Sequence, residues 1–169
     1  MSFKWKNDSI KRNFGFYIEQ LNYKENRFHA IYFVDSLSGA LLVSKRYSGN
    51  NHGLTETDDD LISNFLNAIN MFIREIIYDS KEEEIQEINF KDTRILYEKK
   101  GRLLCIGITK KTNVNIERAI LHELLKDFYY RFKNTIKYFK GYVPPEILNY
   151  KNRLENLDLN SLFKFNMNL

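Results

Sequence analysis

The order in which strand-like and helix-like segments follow one another constrains the fold of this chain most strongly. Two β-rich runs, Phe28 to Val34 and Ala40 to Tyr47, flank a segment of turn-forming residues and predict an antiparallel hairpin. The pattern then predicts a helix over 58–78, strands at 85–90, 93–97 and 103–109, and a helix over 116–139. The order β-β-α-β-β-β-α predicts an α+β domain with a five-stranded antiparallel sheet and helices packed on it.

The chain of 169 residues has room for one ordinary domain with additional segments at its ends. We place the domain at residues 28–140, after an N-terminal extension of residues 1–27. Gly141 and the Pro144-Pro145 pair form a stop signal for the long helix. Residues 141–169 are therefore interpreted as a C-terminal extension, with a short helix that ends near Leu157.

The first predicted helix has more apolar surface than one sheet face requires. At 100° per residue its apolar side chains span about 160°, against about 100° for a helix that covers a single sheet. The polar residues Ser63, Asn64 and Asn67 fall on the opposite face. The apolar arc consists of Leu61, Phe72, Phe65, Ile76, Ile69, Ile62, Ile73, Leu66 and Ile77. Because large apolar patches are rare on monomers, we expect a partner or another segment of the chain to cover one margin.

The sequence carries none of the specific catalytic motifs. The P-loop, the dinucleotide-binding glycine pattern, the zinc-protease motif and the nucleophile elbow are all missing. His29, His52, His122 and Cys105 have no metal-ligand spacing. We therefore expect a chain that is not an enzyme and needs no cofactor or metal. A single cysteine and an N-terminus without an apolar signal segment indicate a cytoplasmic protein.

The charge is mildly basic, and its distribution carries more information than its total. Lysine and arginine number 26 against 22 acidic residues, for a net charge of +4. On the second long helix, one stripe of side chains within about 60° contains Lys126, Lys133, Lys137 and Lys140. Such a stripe could bind anionic lipid, an acidic protein or phosphate. It could equally be a solvated outer face whose lysines complement the helix dipole.

The residues on this order of elements resemble the longin and roadblock superfamily, in the style of archaeal longin-like proteins with their profilin-like layers. The resemblance rests on the apolar–turn–apolar hairpin Ala30–Val43, the helix Leu61–Phe72 and the meander Ile88–Lys110. It covers residues 28–140. Gly15 makes the preceding segment a poor regular helix, which favours longin over roadblock. The resemblance implies non-enzymatic platforms that dimerise, bind small GTPases, or join trafficking and adaptor assemblies.

The resemblance also implies how such a domain associates. Members of the superfamily often pair through the first helix and the neighbouring edge strand, so we predict a homo- or heterodimer with another domain of this kind. The candidate partner interface consists of Leu61, Leu66, Phe72, Ile77, Ile85 and Ile88. A rival cover for the helix is internal, by residues 147–157 or by Phe14-Gly-Phe-Tyr near the N-terminus.

Two other functions remain open from the sequence. The alternative function is binding of RNA or anionic membrane by a basic surface that consists of the lysine stripe and the N-terminal segment. Nucleic acid is the less expected of these two partners. Peripheral membrane contact is compatible with a cytoplasmic protein. A small-molecule sensor built from a similar sheet and helices is the third.

Overall fold

The computed structural model describes residues 27–47, 56–76 and 84–159. Two strands, β1 (Phe28–Asp35) and β2 (Leu41–Arg46), precede helix α1 (Glu56–Ile76). Strands β3 (Glu87–Asn89), β4 (Thr93–Lys100) and β5 (Leu103–Lys110) follow. Helix α2 (Val114–Lys137) and two short helices, α3 (Pro145–Leu148) and α4 (Tyr150–Asn156), end the described chain.

The five strands form one antiparallel sheet in the order β2-β1-β5-β4-β3. The hairpin β1–β2 and the meander β3–β4–β5 meet where β1 pairs with β5, from Phe28 opposite Thr109 to Asp35 opposite Leu103. This arrangement confirms the α+β class and the element order predicted from the sequence. The central strands β1 and β5 are almost wholly buried, as their nearly continuous apolar sequences require.

Side chains alternate along each strand and so point to both faces of the sheet, and helices cover both faces. Ile31, Phe33 and Cys105 face a core built with α2, α3 and α4. Tyr32, Val34 and Ile106 face a second, smaller core that includes Leu66 of α1. The helices therefore lie on opposite sides of the sheet, with α1 on one side and α2 to α4 on the other.

Helix α2 lies close to the sheet because Gly107 of β5 has no side chain. A Cβ atom at Gly107 would lie 2.9 Å from both methyl carbons of Leu121 and from the Phe28 ring. The helix begins at Asn113, whose side chain accepts hydrogen bonds from the backbone N–H groups of Asn115 and Ile116. Asn113 thus caps the helix.

Several of the described residues after Lys140 belong to the packed core. Ile147 and Leu154 are fully buried, and the Tyr150 ring stands edge-on to the rings of Phe33 and Phe128. Asp127 of α2 accepts a hydrogen bond of 2.8 Å from the Tyr150 hydroxyl. Residues 145–157, predicted as one short helix, form two, α3 and α4, with Asn149 between them.

Several boundaries differ from those predicted. Helix α1 begins at Glu56, two residues before the predicted start at residue 58. Strand β3 is only three residues long, whereas β4 continues to Lys100 and leaves Gly101 and Arg102 as the turn. Gly101 makes this tight turn possible with φ of 61°. Within the described ranges, no helix is long and apolar enough to cross a membrane.

Candidate functional site: the exposed stripe of α1

Helix α1 exposes a row of large apolar side chains. Leu61 is 69% exposed, Phe65 60% and Phe72 62%. Their spacing places them within about 40° of one another around the helix, with the exposed Ala68 between the two phenylalanines. We call Leu61, Phe65, Ala68 and Phe72 the α1 stripe. Met71, beside it, is 51% exposed.

The opposite side of α1 is buried, although it is partly polar. Ser63 is fully buried and Asn67 is 3% exposed, next to Leu66 at 2%. The sequence placed Ser63 and Asn67 on the outer face, and this prediction is wrong. The helix is turned so that one half of its apolar arc and the neighbouring polar residues meet the sheet, while the Leu61–Phe65–Phe72 half faces outward.

Hydrogen bonds to Asp59, near the start of α1, account for this orientation. The carboxylate of Asp59 accepts hydrogen bonds from Ser44 Oγ at 2.7 Å, Arg46 Nε at 2.6 Å and the Tyr32 hydroxyl at 3.3 Å. Burial, with the nearby Asp59 charge, raises the pKa of Tyr32 to about 12, so the phenol remains a hydrogen-bond donor at neutral pH. Asp59 thereby ties the first turn of α1 to β1 and β2.

The β1–β2 turn fixes the next part of the helix. Gly39 has φ of 76°, and a Cβ atom there would lie 3.0 Å from Nδ2 of Asn67. The turn therefore packs directly against the polar side of α1, where only a glycine fits. The carbonyl oxygen of the Asn67 side chain is buried and has no hydrogen-bond partner among the described residues, which is a cost of this orientation.

The turn itself is held by a buried ion pair. Asp35, with a side chain 1% exposed, accepts hydrogen bonds from Arg102 Nε at 2.6 Å and from the Ser38 hydroxyl at 2.5 Å. Burial by itself would raise the pKa of Asp35, but the hydrogen bonds from Arg102 and Ser38 outweigh it and lower the pKa. Asp35 is therefore a charged residue that links the β1–β2 turn to the β4–β5 turn.

A second buried carboxylate has a similar structural role at the start of α2. Glu117 is fully buried and accepts hydrogen bonds from Arg94 at 2.8 Å, Thr109 at 3.2 Å and the Thr112 hydroxyl at 2.5 Å. These contacts join β4, β5 and α2. Nothing in the sequence pattern distinguished Glu117 from a solvated glutamate in a first helical turn.

The residues considered for nucleophilic or metal chemistry lie apart from one another. Cys105 is fully buried beneath α2, and burial raises the pKa of its thiol. His122 is on the exposed side of α2, with Nδ1 4.0 Å from Glu98. His52 lies outside the described residues. Across residues 27–47, 56–76 and 84–159, no three side chains are grouped as metal ligands would be.

The predicted partner interface is divided by the structure. Leu61 and Phe72 belong to the α1 stripe, whereas Leu66 is buried against the sheet and is not available to a partner. Ile85 and Ile88 pack at the margin of the core beneath α1. Ile77 lies outside the described residues, and Phe65 is the exposed residue that the sequence-based interface omitted.

The edge strand β3 is not next to α1. The helix packs over β1 and β2, while β3 is at the far edge of the sheet beyond β5 and β4. Neighbouring strands lie about 4.8 Å apart, which places β3 about 14 Å from β1. The other edge strand, β2, is the one over which α1 packs, whereas the resemblance pointed to the strand at 85–90.

Internal cover of α1 by the C-terminal helix is excluded. Helices α3 and α4 pack with Phe33 and Phe128 on the other side of the sheet. The alternative cover by Phe14-Gly-Phe-Tyr lies outside the described residues.

The lysine stripe of α2 is only partly as predicted. Lys126 is half-buried and forms an ion pair with Glu123 at 3.3 Å. Lys133, Lys137 and Lys140 are exposed near the C-terminal end of the helix. The exposed tyrosines Tyr130, Tyr138 and Tyr142 accompany these lysines.

The observed sheet order and element order are those that the resemblance to longin and roadblock domains implies. Among solved structures, the chain is similar to Myxococcus xanthus MglB, with 14% identity and a TM-score of 0.49, over 63% of this chain and 85% of that one. It is also similar to a chain of a homology model of the full-length AP-3 complex in a stretched open conformation, with 11% identity and a TM-score of 0.37. This second similarity covers 76% of this chain and 93% of the other. No protein-family model matches the sequence, and no curated protein is significantly similar to it.

Proposed function

We propose that this protein is a non-enzymatic, cytoplasmic interaction module that dimerises through the α1 stripe and serves a small GTPase or a trafficking assembly. The observation that carries the proposal is the exposure of Leu61, Phe65 and Phe72 on one face of a helix that buries some of its polar side chains. Covering a large apolar side chain contributes roughly 1.5–3 kcal/mol. The orientation of α1 is thus suited to association.

A second copy of the chain is the partner that this stripe fits best. The small residue Ala68 lies between Phe65 and Phe72 and lets a second helix approach closely. If two α1 helices cross antiparallel at Ala68, Phe65 of each copy lies opposite Met71 and Phe72 of the other. The same patch then serves both copies, as a two-fold symmetric interface requires.

The GTPase or trafficking role rests on the resemblance to longin and roadblock domains, whose members act as platforms for such partners. The described geometry is consistent with a platform, because the buried carboxylates Asp35, Asp59 and Glu117 all hold structural elements together. In this proposal, the α1 stripe is the surface that binds the partner protein.

Light scattering at micromolar concentration tests the dimer. The unmodified chain should have twice the 20.3 kDa mass of one copy, and Phe65→Glu or Phe72→Glu should reduce it to one. Leu148→Glu is the matched control, since Leu148 is 53% exposed but lies on α3. A mass of one copy for the unmodified chain, or an equal loss in the control, would reject the second copy as partner.

Affinity capture tests the GTPase role, with the tagged chain as bait in native lysate to which a labelled non-hydrolysable GTP analogue is added. We expect labelled nucleotide to co-elute with the unmodified chain and to be lost with Phe65→Glu. Retention that is equal with the analogue and with GDP would contradict a GTPase partner while leaving the dimer intact.

A further inference from the structure

The last ten residues of α2 and the eight that follow, 128–145, contain no acidic side chain. No aspartate or glutamate occurs between Asp127 and Glu146, whereas four basic residues do: Arg131, Lys133, Lys137 and Lys140. Arg131 is held by Asp127, with its Nε 3.0 Å from the carboxylate. Lys133, Lys137 and Lys140 project into solvent, so the positive charge of this region is concentrated in three lysines.

Exposed tyrosines lie among these lysines. Tyr130 is 59% exposed, Tyr138 68% and Tyr142 76%. Tyr130, Lys133 and Lys137 fall within about 60° of one another on α2. We call Tyr130, Lys133, Lys137, Tyr138, Lys140 and Tyr142 the basic–aromatic surface. The helix dipole accounts for lysines in the last turn, but it gives no reason for exposing three phenol rings.

Two lysines lie against tyrosine rings in this region. The Lys137 ammonium group lies 5.3 Å from the centre of the Tyr138 ring. From the end of β4, Lys100 places its ammonium group 5.2 Å from the centre of the Tyr130 ring and 5.1 Å from that of Tyr129. Lys100 therefore extends the positive surface across to the sheet.

We propose that the basic–aromatic surface binds the anionic face of a phospholipid bilayer. Tyrosine is favoured at the level of lipid headgroups, since its ring is apolar and its hydroxyl can remain hydrated. Each lysine near an anionic membrane contributes to binding, which corresponds to about fivefold in affinity per lysine. The exposed side of α2 is convex, so it can lie along the flat surface of an anionic bilayer.

Single-stranded nucleic acid fits this surface less well. Proteins that bind such strands follow the backbone in a groove and stack bases on open aromatic faces. Here the rings of Tyr130 and Tyr138 carry lysine ammonium groups on their faces. The cations are lysines, which act as point charges and lack the planar fork that makes arginine the preferred reader of bases.

The membrane surface is independent of the proposed dimer. The basic–aromatic surface belongs to α2 and the residues after it, while the α1 stripe lies on the opposite side of the sheet. The two can therefore be tested with separate variants.

Vesicle sedimentation tests the proposal with the full chain. We expect binding to vesicles of phosphatidylcholine with 30% phosphatidylglycerol, weak binding to phosphatidylcholine alone, and a loss of affinity as salt is raised. The triple variant Lys133→Gln, Lys137→Gln, Lys140→Gln should bind about 100-fold more weakly. Tyr130→Ser with Tyr138→Ser should reduce the binding that persists at high salt.

A charge-matched control separates this surface from the net charge of the molecule. Lys91, Lys111 and Lys151 are exposed elsewhere on the protein, and their replacement by glutamine should leave vesicle binding within about twofold. Equal losses in the two triple variants would overturn the proposal. Tighter binding to a single-stranded RNA oligonucleotide than to the anionic vesicles at the same salt would also overturn it. Circular dichroism confirms that each variant is folded.

Discussion

Gly107 is the residue at which a single added methyl group should matter most. Its missing Cβ lets Leu121 and the Phe28 ring approach the β5 backbone, and a Cβ would meet both at 2.9 Å. We expect Gly107→Ala to lower the free energy of unfolding by about 1–3 kcal/mol, because an overpacked core must shift side chains or backbone. Urea denaturation followed by circular dichroism measures this loss.

A smaller neighbour provides the control for this substitution. Leu121→Val removes part of the side chain that the new methyl group would meet, so adding it to Gly107→Ala should recover part of the lost stability. If Gly107→Ala were as stable as the unmodified chain, α2 would not be held at the distance described.

Asp35 should make stability depend on pH. Its pKa in the folded chain is lower than that of a free aspartate, so its ionised form is the one that folding favours. Its contribution is therefore complete above the unfolded pKa and is lost as the pH falls through the folded pKa. We expect the urea midpoint to fall on acidification from about pH 5 to pH 3.

Asp35→Asn separates this residue from the other carboxylates. At pH 7 the variant should be about 2–3 kcal/mol less stable, since it leaves Arg102 without its charged partner. The difference between variant and unmodified chain should narrow as the pH approaches 3. A difference that stays constant from pH 7 to pH 3 would show that the Asp35 charge does not contribute.

At the scale of elements, α3 and α4 should behave as part of the domain and not as an appendage. Ile147 and Leu154 are fully buried against the core that also contains Phe33 and Phe128. Ile147→Ala or Leu154→Ala should each cost about 2–5 kcal/mol, as other buried aliphatic truncations do. The exposed Leu148 on the same helix provides the control, and Leu148→Ala should change stability by less than about 0.5 kcal/mol.

The unfolding curves should also show one transition at all wavelengths. A separate early transition for Ile147→Ala, with the rest of the molecule unchanged, would contradict the inclusion of these helices in one cooperative unit.

The strands and the long helix were accessible from sequence because their signals are local. Strands β1 and β5 are nearly continuous apolar runs, and such runs depend on neighbouring residues only. The end of β4 was missed because Lys99 and Lys100 look like turn residues, whereas the two-residue turn at Gly101 leaves both in the strand.

The orientation of α1 could not be predicted from its periodicity. An arc of about 160° allows many rotations, and the one adopted is selected by distant contacts. Asp59 meets Ser44 and Arg46 of β2, and Gly39 of the turn meets Asn67. Such pairings are set by the tertiary arrangement, and they place polar residues in positions that the pattern assigned to solvent.

The basic–aromatic surface was half visible in the sequence. The stripe of lysines follows from helical spacing, but the sequence-based prediction included none of the tyrosines. Tyr130 is four residues after Lys126 and three before Lys133, so the same periodicity placed it on the stripe. The absence of acidic residues from 128 to 145 was the further signal.

At the scale of the whole molecule, the sheet joins the two halves of the chain. Strand β1 pairs with β2 on one side and with β5 on the other, and these partners lie on either side of α1 in the sequence. The β1–β5 seam runs from Phe28 opposite Thr109 to Asp35 opposite Leu103. Neither the hairpin with α1 nor the meander with α2 has a complete sheet alone.

This seam makes the protein a candidate for fragment complementation. We expect fragments 1–79 and 80–169, produced together, to assemble into a one-to-one complex, because each supplies one of the two central strands. Ile31→Pro, which removes a donor from β1, should abolish assembly. Co-purification of fragment 80–169 with a tagged fragment 1–79 measures assembly. Two fragments that fold separately would contradict the expectation. A chain divided in this way would report, by regaining its fold, when two proteins fused to its halves come together.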